Sequence, residues 1–130
     1  MDSSALLPGK ALVRRLRARP RQQYIRDAQA FLLANRARPG LEVREAAQAL
    51  HLSESYLCRL FRQETGETPR ACLTRYRMEL ALELLLTTRA PVWQVAQDCG
   101  YRDMEAFYRN FRAHTGSTPD AYRKANRNDP

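Results

Sequence analysis

Apolar residues recur along this chain with a helical period. From Gln22 onward, Ile25, Ala28, Phe31 and Leu32 fall at i, i+3, i+6 and i+7, the stripe of an amphipathic helix that must stop before Pro39-Gly40. Val43, Ala46, Ala47 and Leu50 predict a short second helix. Ser53 is placed to cap a third, with Leu57, Leu60 and Phe61 inward and Gly66 able to supply a left-handed stop. Thr68-Pro69 opens the fourth and longest, about 70–87, because proline at the first helical position forfeits no useful donor. Leu73, Tyr76, Leu80 and Leu84 mark its apolar side, and about 18 residues at about 1.5 Å each reach roughly 27 Å, enough to bridge two lobes. Pro91 begins a fifth helix carrying Val92, Val95 and Ala96, which Gly100 breaks. Asp103 caps a sixth, with Phe107 and Phe111 inward and Gly116 at its end, and Thr118-Pro119 opens a seventh that runs past Tyr122. No alternating run between hairpin turns intervenes, so the expected fold is all-α with seven helices.

The chain repeats itself. A shift of fifty residues pairs Arg59 with Arg109, Phe61 with Phe111, Arg62 with Arg112, Thr65 with Thr115, Gly66 with Gly116, Thr68 with Thr118, Pro69 with Pro119 and Ala71 with Ala121. With one residue less, Val43 meets Val92, Ala47 meets Ala96 and Gln48 meets Gln97. The repeated unit is helix, short turn, helix. A helix-turn-helix needs a small residue where its helices cross, a turn that permits positive φ, and a second helix with one buried and one outward face. Ala47 and Ala96 are the small residues; Gly100 suits the turn, and His51 holds the same place in the first copy, where a non-glycine residue is tolerable but uncommon.

Opposite the buried stripes lie Ser55, Cys58, Arg59 and Arg62 in the third helix and Glu105, Tyr108, Arg109 and Arg112 in the sixth, both spaced i, i+3, i+4, i+7. These residue types suit a major groove. Arginine pairs with guanine or clamps phosphate, a carboxylate accepts from cytosine N4, and small or apolar groups meet a thymine methyl. Arginines on a solvated helix are also common, and it is their repetition at Arg59 and Arg109 that singles these two out. Two such helices on one chain can reach major-groove segments about 34 Å apart on one face of a duplex.

Composition fits that picture. At 130 residues, 44% hydrophobic and 28% charged, the chain suits one compact domain or two very small ones and excludes a large enzyme. No run approaches the roughly 20 apolar residues that cross a bilayer. A formal charge of +8 and a pI near 10.0 favour a polyanionic partner. Nearly all of that charge is arginine, with Lys10 and Lys124 the only lysines. Cys58, Cys72 and Cys99 are odd in number and lack CxxC spacing, so neither a disulfide framework nor a zinc site is expected; a reducing cytoplasm fits. Residues 1–21 carry Arg14, Arg15, Arg17, Arg19 and Arg21 among Ser, Pro and Gly; they read as a basic tail or linker, with a phosphate-touching arm or a transit peptide as the alternatives, and not as a secretory signal. Trp93 is read as core packing, with a surface role toward a partner as the alternative.

Three stretches, LHLSESYLCRLFRQETGETP, RYRMELALELLLTT and PVWQVAQDCGYRDMEAFYRNFRAHTGSTPDAYRK, resemble the AraC/XylS family of bacterial transcription regulators over about 24–124. The resemblance implies a double helix-turn-helix: two homeodomain-like three-helix lobes joined by a long central helix, here 22–87 and 88–130 after the arm at 1–21. It implies base-facing positions at Ser55, Cys58 and Arg59 and at Met104, Glu105, Tyr108 and Arg109, with Arg62 and Arg112 nearer phosphates. Cys58, Met104 and Tyr108 stand where similar proteins often carry polar readers, so preference there would rest on methyl contacts or DNA shape; Met104 as packing and Cys58 as an inert small residue are the plainer readings. The resemblance further implies promoter DNA as ligand, RNA polymerase as partner, a separate effector-binding or dimerisation domain ahead of this unit, and no cofactor. A cysteine enzyme or methyl-accepting repair regulator is disfavoured, since His51 and His114 are the only histidines and no four-ligand cluster exists. An RNA or anionic-membrane binder is allowed by charge but does not need the duplicated motif.

Overall fold

A computed structural model of the chain describes residues 19–127. Among these are seven helices and no strand: α1 Arg21–Ala34, α2 Val43–Ala49, α3 Glu54–Thr65, α4 Pro69–Thr87, α5 Val92–Asp98, α6 Met104–Thr115 and α7 Pro119–Asn126. Most boundaries follow from side-chain caps. Ser53 Oγ accepts from the Tyr56 amide at 3.1 Å, Thr68 Oγ1 from Ala71 at 3.1 Å, Asp103 Oδ1 from Glu105 at 3.0 Å and Thr118 Oγ1 from Ala121 at 3.2 Å. α2 starts differently: Glu42 and Glu45 form a reciprocal capping box. The Glu42 amide, together with Arg38 and Arg44, holds the Glu45 carboxyl below the usual carboxylate range against its partial desolvation. Pro91 is the N-cap of α5, not its first residue; its extended backbone precedes the helix and offers the first turn no side-chain cap.

Two cores lie on either side of one helix. The first gathers Ile25, Ala28, Leu32, Ala47, Leu57, Leu60, Phe61 and Cys72; the second gathers Met78, Ala81, Leu85, Val95, Ala96, Phe107 and Phe111. α4 serves both, its N-terminal half closing the first lobe and its C-terminal half opening the second. For that reason the single stripe expected at Leu73, Tyr76, Leu80 and Leu84 is fully buried only at Leu73. Cys72, Leu73, Met78, Ala81 and Leu85 are buried, while Tyr76, Leu80 and Leu84 are only half-buried. A helix that packs against different neighbours along its length buries different sides of itself and leaves no continuous moment.

The repeat is reproduced in the bonds that close α3 and α6. Thr65 Oγ1 donates to the Phe61 carbonyl at 2.7 Å and Thr115 Oγ1 to that of Phe111 at 2.9 Å. The left-handed caps Gly66 and Gly116 donate to Arg62 and Arg112 at 2.9 and 2.8 Å. It also extends further than the sequence reading took it: Ile25, Ala28 and Leu32 of α1 have the spacing of Met78, Ala81 and Leu85 of α4, and all six are buried. Each lobe is thus a three-helix core plus a closing segment, and α4 ends one copy as it begins the next.

The two turns differ as expected. Gly100 has φ +90° and its counterpart His51 has φ +59°. A side chain in the left-handed region costs about 1–2 kcal/mol, partly offset because glycine loosens the unfolded chain. His51→Gly should therefore stabilise the protein by about 0.5–1 kcal/mol and raise Tm by a few degrees. Thermal melting monitored by circular dichroism checks this, and a lowered Tm would show that the imidazole contributes more than its backbone costs.

Candidate nucleic-acid interface

The buried stripe of each second helix decides what the other side presents. Leu57, Leu60 and Phe61 turn one side of α3 into the first core, leaving Ser55, Arg59 and Arg62 exposed and Cys58 half-buried. Phe107 and Phe111 do the same for α6, leaving Glu105, Arg109 and Arg112 exposed. Met104 and Tyr108 are half-buried and packed against the second core; the Tyr108 ring meets that of Phe107 edge-on at 6.1 Å. Tyr108 thus presents one edge to solvent and spends the rest on packing.

Five of the acids are committed to other arginines. Asp27 pairs with Arg19, Glu45 with Arg38, Glu42 with Arg44, and Glu67 and Glu79 with Arg75. Among the described residues, none of these ion pairs engages Arg59, Arg62, Arg109 or Arg112. The Arg59 guanidinium lies over the Tyr56 ring, 5.3 Å from its centroid, which steadies the long side chain at about 0.5–1 kcal/mol and leaves its N–H edges free for an acceptor. Burial, then Glu54, pushes the Cys58 thiol up; burial and Asp98 push Cys99 up to about 12. Neither is a thiolate at neutral pH, so neither is activated as a nucleophile. No cluster of three or more potential metal ligands occurs among the described residues, and no helix of these is long and apolar enough to cross a membrane.

The two second helices share one groove. α3 forms one wall with Glu54 and Cys58, α6 the other with Ala106, Arg109 and Asn110, and α4 the floor with Arg70, Thr74 and Arg77, enclosing about 810 Å³. The walls are not equivalent. Under the fifty-residue shift, Ala106, Arg109 and Asn110 correspond to Tyr56, Arg59 and Leu60, none of which lines the groove. Opposite flanks of corresponding helices face each other, so the modules follow one another by something close to a translation and are not related by a two-fold axis.

Some expectations need revision. Trp93 is not core: it is 53% exposed, because Val92, Val95 and Ala96 occupy the inward side of a short helix. Most of the arm at 1–21 lies outside the described residues; of it, Arg19 is tied to α1 through Asp27 at 2.6 Å and Arg21 is already helical. Arg70 and Arg77 were not among the expected site residues. Outward spacing on α3 and α6 cannot find them, since both belong to the helix read as a connecting rod.

A family profile described as a helix-turn-helix domain matches residues 46–125. The xylose operon regulatory protein of Escherichia coli (strain K12) is 33% identical over 94 residues, which make up 72% of this chain and 24% of that protein. The chain therefore spans about a quarter of the length of that regulator. Among solved structures, the C-terminal domain of AraT, a response regulator from Geobacillus stearothermophilus, superposes with a TM-score of 0.78 at 31% identity, covering 82% of this chain and 88% of that one. The DNA-binding domain of AdpA, a global transcriptional factor solved in complex with a target DNA, gives 0.72 at 33% identity, covering 78% and 90%.

Proposed function

Because this chain belongs to the AraC-type family of helix-turn-helix proteins, we propose that it is the DNA-binding unit of a transcription regulator whose α3 and α6 enter two successive major-groove segments of one duplex. The observation that carries this reading is two pairs of arginines, Arg59 with Arg62 and Arg109 with Arg112, exposed at corresponding positions of the two helices. In this reading Ser55, Cys58 and Arg59, and Met104, Glu105, Tyr108 and Arg109, face bases, and Arg62 and Arg112 face phosphates. The packing of Met104 and Tyr108 supports apolar contacts from their exposed edges, such as to a thymine methyl. The intact regulator sits in the cytoplasm, carries an effector-binding or dimerisation domain and acts on promoters with RNA polymerase. The span of about a quarter of the xylose regulator supports the larger protein.

The test is fluorescence anisotropy on duplexes selected from a random pool. Neutralising about 6–10 phosphates should make log affinity fall steeply and linearly with log salt. Arg59→Ala or Arg109→Ala should each cost about 1–3 kcal/mol on the selected site and relax preference at one base pair. Equal losses on every sequence would make both arginines phosphate contacts, and tighter binding to structured RNA or anionic vesicles would end the reading.

A further inference from the structure

α4 does more than join the lobes, and the side chain that shows it is Arg77. Its Nε donates to the Arg36 carbonyl at 2.9 Å and its Nη2 to the Arg38 carbonyl at 3.1 Å, so one guanidinium closes the loop between α1 and α2. The fifty-residue repeat gives it a counterpart in Arg127, whose Nη1 donates to the carbonyl of Thr88, the residue fifty after Arg38. In both lobes an arginine fastens the segment that follows the lobe's first helix. Arg77, however, also reaches the other lobe. Its guanidinium carbon lies 5.6 Å from the Tyr101 ring centroid, in the turn of the second helix-turn-helix.

That turn is pressed against the same loop. A Cβ at Gly100 would stand 2.9 Å from the Arg36 carbonyl oxygen and 3.2 Å from both the Ala37 carbonyl carbon and Arg77 Nε. Beyond the turn, Tyr101 Oη accepts from Asn110 Nδ2 at 2.8 Å, and Asn110 is the neighbour of Arg109 on α6. On the first lobe's side, Arg38 pairs with Glu45 of α2 at 2.5 Å. A continuous line of polar contacts therefore runs from α2, through the loop carbonyls and Arg77, to Tyr101 and the second outward helix.

We propose that Arg77 is a positioning residue for sequence recognition: it locks the two helix-turn-helix modules at a fixed distance and phase and so sets which spacing between half-sites the protein accepts. The proposal rests on the reading of α3 and α6 as the DNA-contacting helices. One base pair inserted between half-sites moves the second by about 3.4 Å and turns it by about 34°, which a locked pair cannot follow. Freed modules could follow it, but at a lower effective concentration for the second contact.

Two variants of the full chain test this. Arg77→Met keeps the stem and loses every donor; Arg77→Lys keeps the charge but cannot span two carbonyls. Binding is measured on the selected duplex, on versions with one or two base pairs inserted or removed between half-sites, and on one half-site alone. The wild type should lose about tenfold or more per altered spacing, whereas Arg77→Met should lose about threefold or less and bind the selected duplex about five- to tenfold more weakly, a larger loss than it shows on the lone half-site. Arg77→Lys should fall between. Separately and without DNA, amide residual dipolar couplings should fit one alignment tensor for the wild type and two lobe-specific tensors for Arg77→Met. A single tensor and a wild-type spacing profile in both variants would overturn the proposal. Split tensors in a protein that ignores duplex DNA would instead keep the clamp and overturn the DNA reading.

Discussion

Phe111→Ala should destabilise the second lobe by about 3–5 kcal/mol and unfold it ahead of the first. Phe111 is fully buried, with the Phe107 ring 5.9 Å away and the Tyr122 ring meeting it edge-on at 5.7 Å. Truncation removes one of the two fully buried phenylalanines of a small core and leaves a cavity that the surrounding helices must collapse around. A lobe of about 50 residues has only about 3–8 kcal/mol in total at typical stabilities, so this loss takes most of it. Trp93 is the only tryptophan and belongs to the second lobe, which makes its fluorescence a local reporter. In urea, its transition should precede the helical signal in Phe111→Ala, whereas in Phe61→Ala, the same lesion in the first lobe, the order should reverse. Coincident transitions in both variants would mean that α4 couples the lobes into one cooperative unit.

Gly100→Ala is expected to cost about 3 kcal/mol or more, against about 1–2 kcal/mol for Gly66→Ala. Both glycines have positive φ, +90° and +81°, so both substitutions incur the left-handed penalty of about 1–2 kcal/mol. Only Gly100 adds a collision, and with backbone, since the Arg36 carbonyl oxygen stands 2.9 Å from the new carbon while nothing lies within 4 Å of one at Gly66. A backbone oxygen cannot swing aside as a side chain can, so either the loop between α1 and α2 or the turn must shift. Parallel thermal melts of the two variants read the difference directly, and equal Tm losses would show that the seam between the lobes yields cheaply.

The residues that dictated local structure were legible in the sequence because their chemistry is local. Ser53, Thr68, Asp103 and Thr118 each cap an amide two or three residues on, and Gly66 and Gly116 end helices by their own φ. The inward Phe61 and Phe111 and the outward arginines followed from helical spacing alone. What escaped depends on residues far apart in the chain. The Arg77 bonds span 41 and 39 positions, and a half-buried arginine in an apolar helix carries no periodic mark of its acceptors. The equivalence of α1 with the second half of α4 was hidden because α4 is shared, so its apolar positions answer to two cores. Trp93 was misread because hydrophobicity reports a tendency to burial, and a two-turn helix with three small inward residues has no room for an indole on that side.

The unequal walls of the groove have a consequence for how one molecule lies on a duplex. Modules related by a two-fold axis would read an inverted repeat and look the same from either end. Modules that follow one another head to tail read tandem elements written in one direction, and flipping one element should abolish the second contact. A chain bound this way has an upstream end and a downstream end. The asymmetry of the bound site is thereby converted into a facing, so that every surface of the chain turned away from the duplex takes one fixed direction along it.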